Sequence, residues 1–181
     1  MKVLVVVDMQ NDFISGSLGT PEAAAIVPGV VEKIRSWDGL VCVTQDTHFP
    51  DYLETQEGRL LPVPHCIRNT EGWQIEASVR AALAGSAAGD ESVLYVTKAA
   101  FGSRELAELL ARRHRETPIE EIVLIGLCTD ICVISNALVL KSFLPDVPLA
   151  VDAACCAGVS PESHGNALAA MKMCQIKICN E

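Results

Sequence analysis

Positive charge is scarce in this chain. Its 181 residues carry 14 Lys and Arg against 23 Asp and Glu, a formal net charge of -9. Binding a nucleic-acid backbone requires a basic face. The only basic cluster, Arg112-Arg113-His114-Arg115, falls at the end of a predicted helix, where cations complement the dipole, so nucleic-acid partners are excluded. Aromatic residues make up only 4% of the chain, so stacking gives no signal for a flat ligand. No apolar run free of charge or proline approaches the roughly 18 residues of a membrane helix, which excludes a membrane-spanning role. The start, Met1 to Asp8, is too short for a secretion signal and ends in an acid; it reads as a first strand. No Cys-x-x-Cys pair occurs, which disfavours a zinc ribbon or a dithiol redox centre. Eight cysteines without a secretion signal fit a reduced cytoplasm better than a disulfide framework. Cys42, Cys174 and Cys179 lie in apolar strand-like stretches and read as small core residues.

Half of the residues are hydrophobic, and the length suits one domain, 1–181, with a substantial core. Strand and helix signals alternate along it. Strands are predicted at Val3 to Val7, Leu40 to Val43, Val93 to Val96, Ile122 to Ile125, Pro148 to Val151 and Ile176 to Ile178. Thr20-Pro21-Glu22 supplies an N-cap, a first-turn proline and an acid for a helix running to about Trp37. Further helices are predicted over Ile75 to Leu83, from Ser103, over Ile134 to Phe143 and over Pro161 to Met173. Strands without polar alternation, separated by helices, mean an α/β fold whose parallel sheet is covered on both faces. One long irregular stretch, Thr44 to Gly72, stands out; loops of that length in a compact domain are usually functional.

In a parallel sheet all strand carboxyl ends share one edge, and ligands bind there. Asp8 follows the first strand, Asp46 and His48 the second, Lys98 the third and Cys132 the fourth. Taken singly, each has an ordinary reading: a turn-capping acid, a surface lysine, an inert helix-start cysteine. Together they place an acid, a base, a nucleophile and metal-ligand types on one rim. Cys132 follows an apolar strand and precedes a helix, where unpaired N–H groups and the dipole favour a thiolate.

Three motifs carry a resemblance. Val7-Asp8-Met9-Gln10-Asn11-Asp12-Phe13, Thr97-Lys98-Ala99-Ala100-Phe101-Gly102-Ser103 and Gly126 to Val133 resemble, in order and spacing, the signatures of the isochorismatase-like cysteine hydrolases. The resemblance covers essentially the whole chain. It implies a three-layer α/β/α fold with a six-stranded parallel sheet in the order 3-2-1-4-5-6, and a catalytic triad of Asp8, Lys98 and Cys132. It also implies a non-proline cis peptide just before Cys128, and an oxyanion hole formed by the backbone N–H groups of Cys128 and Cys132.

Within the long loop, an Asp-x-His pair followed by further ligand types suits a mixed oxygen and nitrogen metal site. The family's nicotinamidase branch binds a divalent metal in this place, and Asp46, His48 and His65 match its pattern. The usual second histidine is missing; Glu57 best fills the gap, with Glu54 as the alternative. The implied ion is zinc, with manganese or iron as alternatives. By the same resemblance Phe13 lines the substrate pocket, the small-molecule substrate is an amide, the assembly is a dimer or tetramer, and the role is NAD salvage. Thr129 and Asp130 read as capping residues, and His114 and His164 as surface residues. The pair Cys155-Cys156 is placed after the fifth strand, with no chemical role. The expected reaction is hydrolysis of a small carboxamide, nicotinamide first. The rivals are isochorismate vinyl-ether or carbamoyl and ureido cleavage on the same scaffold, a catalytically silent ligand binder, and a redox-sensing thiol protein.

Overall fold

The computed structural model describes residues 1–86 and 93–181. The chain runs β1 (Lys2–Val7), α1 (Asn11–Ile14), α2 (Pro21–Arg35), β2 (Leu40–Asp46), α3 (Gln56–Leu60), α4 (Ala77–Ala84), β3 (Val93–Lys98), α5 (Arg104–Glu116), β4 (Glu121–Leu127), α6 (Ile134–Phe143), β5 (Leu149–Ala157), α7 (Pro161–Met173) and β6 (Lys177–Cys179). A short 3-10 turn, Tyr52–Glu54, precedes α3, and a π-helical turn, Thr129–Val133, links β4 to α6. The strands form one all-parallel sheet in the order β3-β2-β1-β4-β5-β6, the arrangement the resemblance implies.

The apolar strand runs are buried on both sides. Val3, Val5 and Val7 of β1 join Leu106 and Leu110 of α5, Ala137 and Leu140 of α6, and Leu168 and Met171 of α7 in one core layer. Leu4 and Val6 point the other way, onto Val30 and Ile34 of α2 and Val79 and Leu83 of α4. Residues of one strand alternate between two apolar layers, so the sequence shows no polar alternation. Local signals set the helix starts: Thr20 Oγ1 accepts from Ala23 N at 3.0 Å, and Ser103 Oγ from Leu106 N at 3.1 Å.

Several boundaries differ from the sequence reading. Strands continue past their apolar runs because neighbouring ladders keep pairing: β2 reaches Asp46, β3 reaches Lys98 and β5 reaches Ala157. Cys155 and Cys156 therefore lie inside β5, on opposite faces of the sheet, rather than after it. Cys42 is core, but Cys174 is exposed at the end of α7 and Cys179 is only half-buried. The long loop is less irregular than expected, since it contains the end of β2, the 3-10 turn and α3. Helix α2 stops at Arg35, where the Ser36 N–H caps it, short of Trp37. Helix α4 begins at Ala77 because Ile75 instead bridges to Gln10. Among the described residues no helix is long and apolar enough to cross a membrane.

The chain steps outward from β1 to β2 and β3, then returns to lay β4 on the other side of β1. The carboxyl ends of β1 and β4 thus form the switch point where open α/β sheets hold ligands. Leu124, in the middle of β4 opposite Val5, is fully buried in the core beneath this edge. Leu124→Ala is predicted to destabilise the chain by roughly 2–5 kcal/mol in denaturant unfolding; a loss below about 1 kcal/mol would contradict its place in a close-packed core.

Candidate active site

Three segments bring the rim residues together. Asp8 is the first residue beyond β1; its N–H donates to Thr44 O, and its Oδ1 accepts from Thr44 Oγ1 at 2.6 Å. Its φ of +47° lies in the left-handed region, which aspartate tolerates better than most residues and which is common at functional turns. Lys98 is the last residue of β3, in register with Asp46 of β2. Cys132 sits in the π-helical turn after β4. Lys98 Nζ lies 2.7 Å from Asp8 Oδ2, 3.2 Å from Asp46 Oδ1 and 3.4 Å from Cys132 Sγ. Asp8, Lys98 and Cys132 are 0%, 6% and 4% exposed.

Burial dominates the electrostatics of the group. Desolvation and the Asp8 carboxylate push the Cys132 thiol well above its ordinary value, and Lys98 only partly offsets them. Burial and the facing Asp8 thus favour the thiol, in contrast to the thiolate expected from its turn position, and the donor within reach of the sulfur is Lys98 Nζ. Burial, with Asp46 alongside, also raises Asp8 above the ordinary carboxylate value against the pull of Lys98. Burial opposes the charge on Lys98, but the carboxylates of Asp8 and Asp46 outweigh it and keep the ammonium protonated.

The turn around the sulfur is tightly built. Gly126 has a φ of +114°, and a Cβ there would lie 2.1 Å from Val7 O, so only glycine fits. The Leu127–Cys128 peptide bond is cis. Cys128 O accepts from Ile131 N at 3.1 Å and Val133 N at 3.0 Å. Burial, with Asp130 nearby, pushes the Cys128 thiol up to about 12, so it stays protonated. Thr129 and Asp130 do not cap a helix as expected. Thr129 Oγ1 bonds His164 Nδ1 at 2.8 Å, and the Asp130 carboxylate accepts from Val159 N at 3.1 Å. His164 is half-buried rather than a free surface residue, and His114 likewise accepts from Ile119 N at 3.0 Å.

Two residues at the site went unread in the sequence. Asn136 is buried; its Oδ1 accepts from Ser103 N, and its Nδ2 donates to Phe101 O and Cys132 O, tying the segment after Lys98 to the turn that carries Cys132. Gln10 clasps Asp46, accepting from its N–H at 2.7 Å and donating to its carbonyl at 2.9 Å. For Asn136 the available signal was an amide side chain in a mostly apolar helix, which when buried must be hydrogen-bonded; Gln10, among Asp8, Asn11 and Asp12, carries no such signal.

Asp46, His48, Glu57 and His65 place one ligand atom each within 4.8 Å of one another. His48 Nε2 is 3.0 Å from Asp46 Oδ2 and 3.6 Å from Glu57 Oε1; His65 Nε2 is 3.6 Å and 3.7 Å from the same two atoms. His65 Nδ1 donates to Val63 O at 2.9 Å, which leaves the Nε2 lone pair facing the group. Two imidazoles and two carboxylates, three of the four residues buried, form a donor set that fits a divalent ion of the zinc, manganese or iron type. Glu57 joins the group, while Glu54 is exposed in the 3-10 turn.

A cavity of about 190 Å³ opens onto these groups. Phe13, Leu18, Leu61, Phe101, Ile131 and Val159 form its apolar walls; Cys132, Asp46, Glu57 and His65 reach it, and among the described residues no lysine or arginine lines it. Its volume is below the roughly 300–1,000 Å³ of pockets for drug-sized ligands, and suits a single-ring molecule. Asp8 and Lys98 lie behind the sulfur.

Comparison with known proteins agrees with this geometry. The isochorismatase domain family matches residues 2–180. The nicotinamidase of Saccharomyces cerevisiae is 35% identical over 106 residues, a match spanning 41% of this chain and 48% of that protein. The crystal structure of the nicotinamidase/pyrazinamidase PncA from Bacillus subtilis superposes with a TM-score of 0.84 at 28% identity, covering 99% of both chains. The pyrazinamidase of Pyrococcus horikoshii, solved in complex with zinc, gives a TM-score of 0.80 at 29% identity, again over 99% of both. The chain belongs to the isochorismatase family and is a hydrolase of that fold.

Lys98→Met would leave Asp8 and Asp46 buried without their cation. The predicted destabilisation is about 3–5 kcal/mol in denaturant unfolding, and a loss under about 1 kcal/mol would show that the ion pairs contribute little.

Proposed function

We propose that this chain hydrolyses nicotinamide to nicotinate and ammonia through a thioester on Cys132. The supporting observation is the placement of one sulfur: Cys132 faces a small apolar cavity with Lys98 and Asp8 directly behind it. The nicotinamidase and pyrazinamidase relatives favour a ring carboxamide as substrate. A cavity lined by the carboxylates of Asp46 and Glu57, and among the described residues by no lysine or arginine, is a poor host for carboxylate-bearing substrates such as isochorismate.

In this reading Asp8 takes the Cys132 thiol proton as the sulfur attacks the amide carbon. The carbonyl electron pair moves to oxygen, where the N–H groups of Cys128 and Cys132 stabilise it, a contribution of roughly 3 kcal/mol. The C–N bond then breaks, and Asp8 passes its proton to the leaving nitrogen, releasing ammonia. Water, deprotonated by Asp8, attacks the thioester; the C–S bond breaks and the proton returns to sulfur. Lys98 keeps Asp8 and the transient thiolate charge-balanced in a site that excludes water. Asp46, His48, Glu57 and His65 would hold a divalent metal ion, zinc by similarity to the Pyrococcus protein. Such an ion supplies a Lewis-acidic anchor for the ring nitrogen or for a water beside it.

Cys132→Ala should abolish ammonia release from nicotinamide while leaving the unfolding transition in place; retained turnover would refute the nucleophile assignment. Elemental analysis of carefully purified protein should find bound divalent metal, and chelation should lower turnover or raise KM. Metal-free protein with full activity would remove the metal from the proposal.

A further inference from the structure

The nucleophile turn is braced from a place the chemistry does not use. Helix α7 begins at Pro161, and its first turn carries His164. His164 Nδ1 lies 2.8 Å from Oγ1 of Thr129, a residue with no exposed surface. One residue on, both oxygens of Asp130 accept from Val159 N, at 3.1 and 3.2 Å, and Val159 is a wall of the cavity. The junction packs closely: a Cβ on Gly158 would lie 2.9 Å from His164 N. The end of β5, the start of α7 and the turn carrying Cys128 and Cys132 thus form one braced unit.

We propose that His164 is a positioning residue for catalysis, fixing through Thr129 the turn whose backbone N–H groups face the reacting carbonyl oxygen. This rests on the reading of Cys132 as the nucleophile. The Cys128 carbonyl is already held by Ile131 N and Val133 N. Thr129 N belongs to the same peptide unit as that carbonyl, so the bond from Thr129 to His164 anchors the residue immediately after Cys128, and the two sets of bonds together fix the turn that follows the Cys128 N–H. Donors aimed at developing charge act only when held within about 0.5 Å of their working position, and a brace that sets them affects the transition state more than the bound amide. Burial holds the His164 imidazole below its ordinary pKa, with Asp130 opposing, so the ring is neutral at neutral pH. A neutral ring nitrogen and a hydroxyl pair without charge in this half-buried setting.

The test compares wild type with His164→Leu, His164→Asn, Thr129→Val and Thr129→Ser in the full chain. It measures kcat and KM for nicotinamide by ammonia release, binding of nicotinate, and inhibition by pyridine-3-carbaldehyde. The aldehyde reports on the turn directly. Cys132 Sγ bonds to its carbon as the C=O π bond breaks, the thiol proton ends on oxygen, and that oxygen takes the place of the amide oxyanion. For His164→Leu and Thr129→Val we expect kcat to fall about tenfold, with KM and nicotinate binding changed less than about twofold. Aldehyde inhibition should weaken in parallel with kcat. His164→Asn, whose amide can replace the Nδ1 bond, and Thr129→Ser, which keeps the hydroxyl, should restore most of kcat. Thr129→Val is nearly isosteric and carries the test if His164→Leu does not fold. An active wild type whose folded variants keep kcat, or lose aldehyde and nicotinate binding equally, overturns the inference alone. A wild type that neither releases ammonia nor binds the aldehyde overturns the amidase reading and the inference with it.

Discussion

The ammonium group of Lys98 is the interaction on which the site depends. It stands between two buried carboxylates and the sulfur, within 3.4 Å of all three. Without it, Asp8 and Asp46 would be like charges in a medium of low dielectric, a state proteins avoid by protonating one partner or moving apart. The register of β2 on β3, which sets Asp46 opposite Lys98, is thus also a condition for charge balance. A one-residue slip would turn every side chain of β3 to the other face and remove the cation.

Asp46 joins the two halves of the site. Its Oδ1 faces Lys98, and its Oδ2 faces His48 and His65. Its backbone is clasped at both N–H and C=O by the buried amide of Gln10. Burial works against its ionisation, but the imidazole bonds and Lys98 outweigh that and hold its carboxyl well below the usual range. Asp46 therefore remains a carboxylate shared between the ammonium and the imidazoles, and the motif that supplies Asp8 also supplies the side chain that holds it in place.

The fold was legible because its determinants are local. Apolar runs without alternation gave the parallel sheet, and Thr20, Ser103 and Pro161 marked helix starts that the structure keeps. Strand ends were misjudged where Thr44-Gln45-Asp46 and Asp152 to Ala157 remain in the ladders, since pairing depends on the neighbouring strand and leaves no trace in the segment's own hydropathy. The rim residues were legible because strand ends in such a sheet share an edge. The electrostatic setting of Cys132 was not, because a turn position suggests a stabilised thiolate, whereas burial and the facing Asp8 act in the opposite direction. The bonds of Asn136 to Ser103 and Phe101, and the pairing of Thr129 with His164, escaped notice because their partners lie 33 to 35 residues apart in sequence and meet only in the folded chain.

Glu57 in place of the expected histidine has a consequence for charge. Asp46 and Glu57 carry two negative charges and the two imidazoles none when they act as ligands, so a divalent ion held there would be neutralised by its own ligands. Asp8 and Lys98 cancel each other. A loaded site would then be neutral overall, lined otherwise by apolar walls, which matches an uncharged carboxamide. A histidine at position 57 would leave one positive charge and favour the carboxylate product instead. During turnover the negative charge of Asp8 would pass to the sulfur and then to the substrate oxygen, next to Lys98 and the turn N–H groups, with the net charge unchanged.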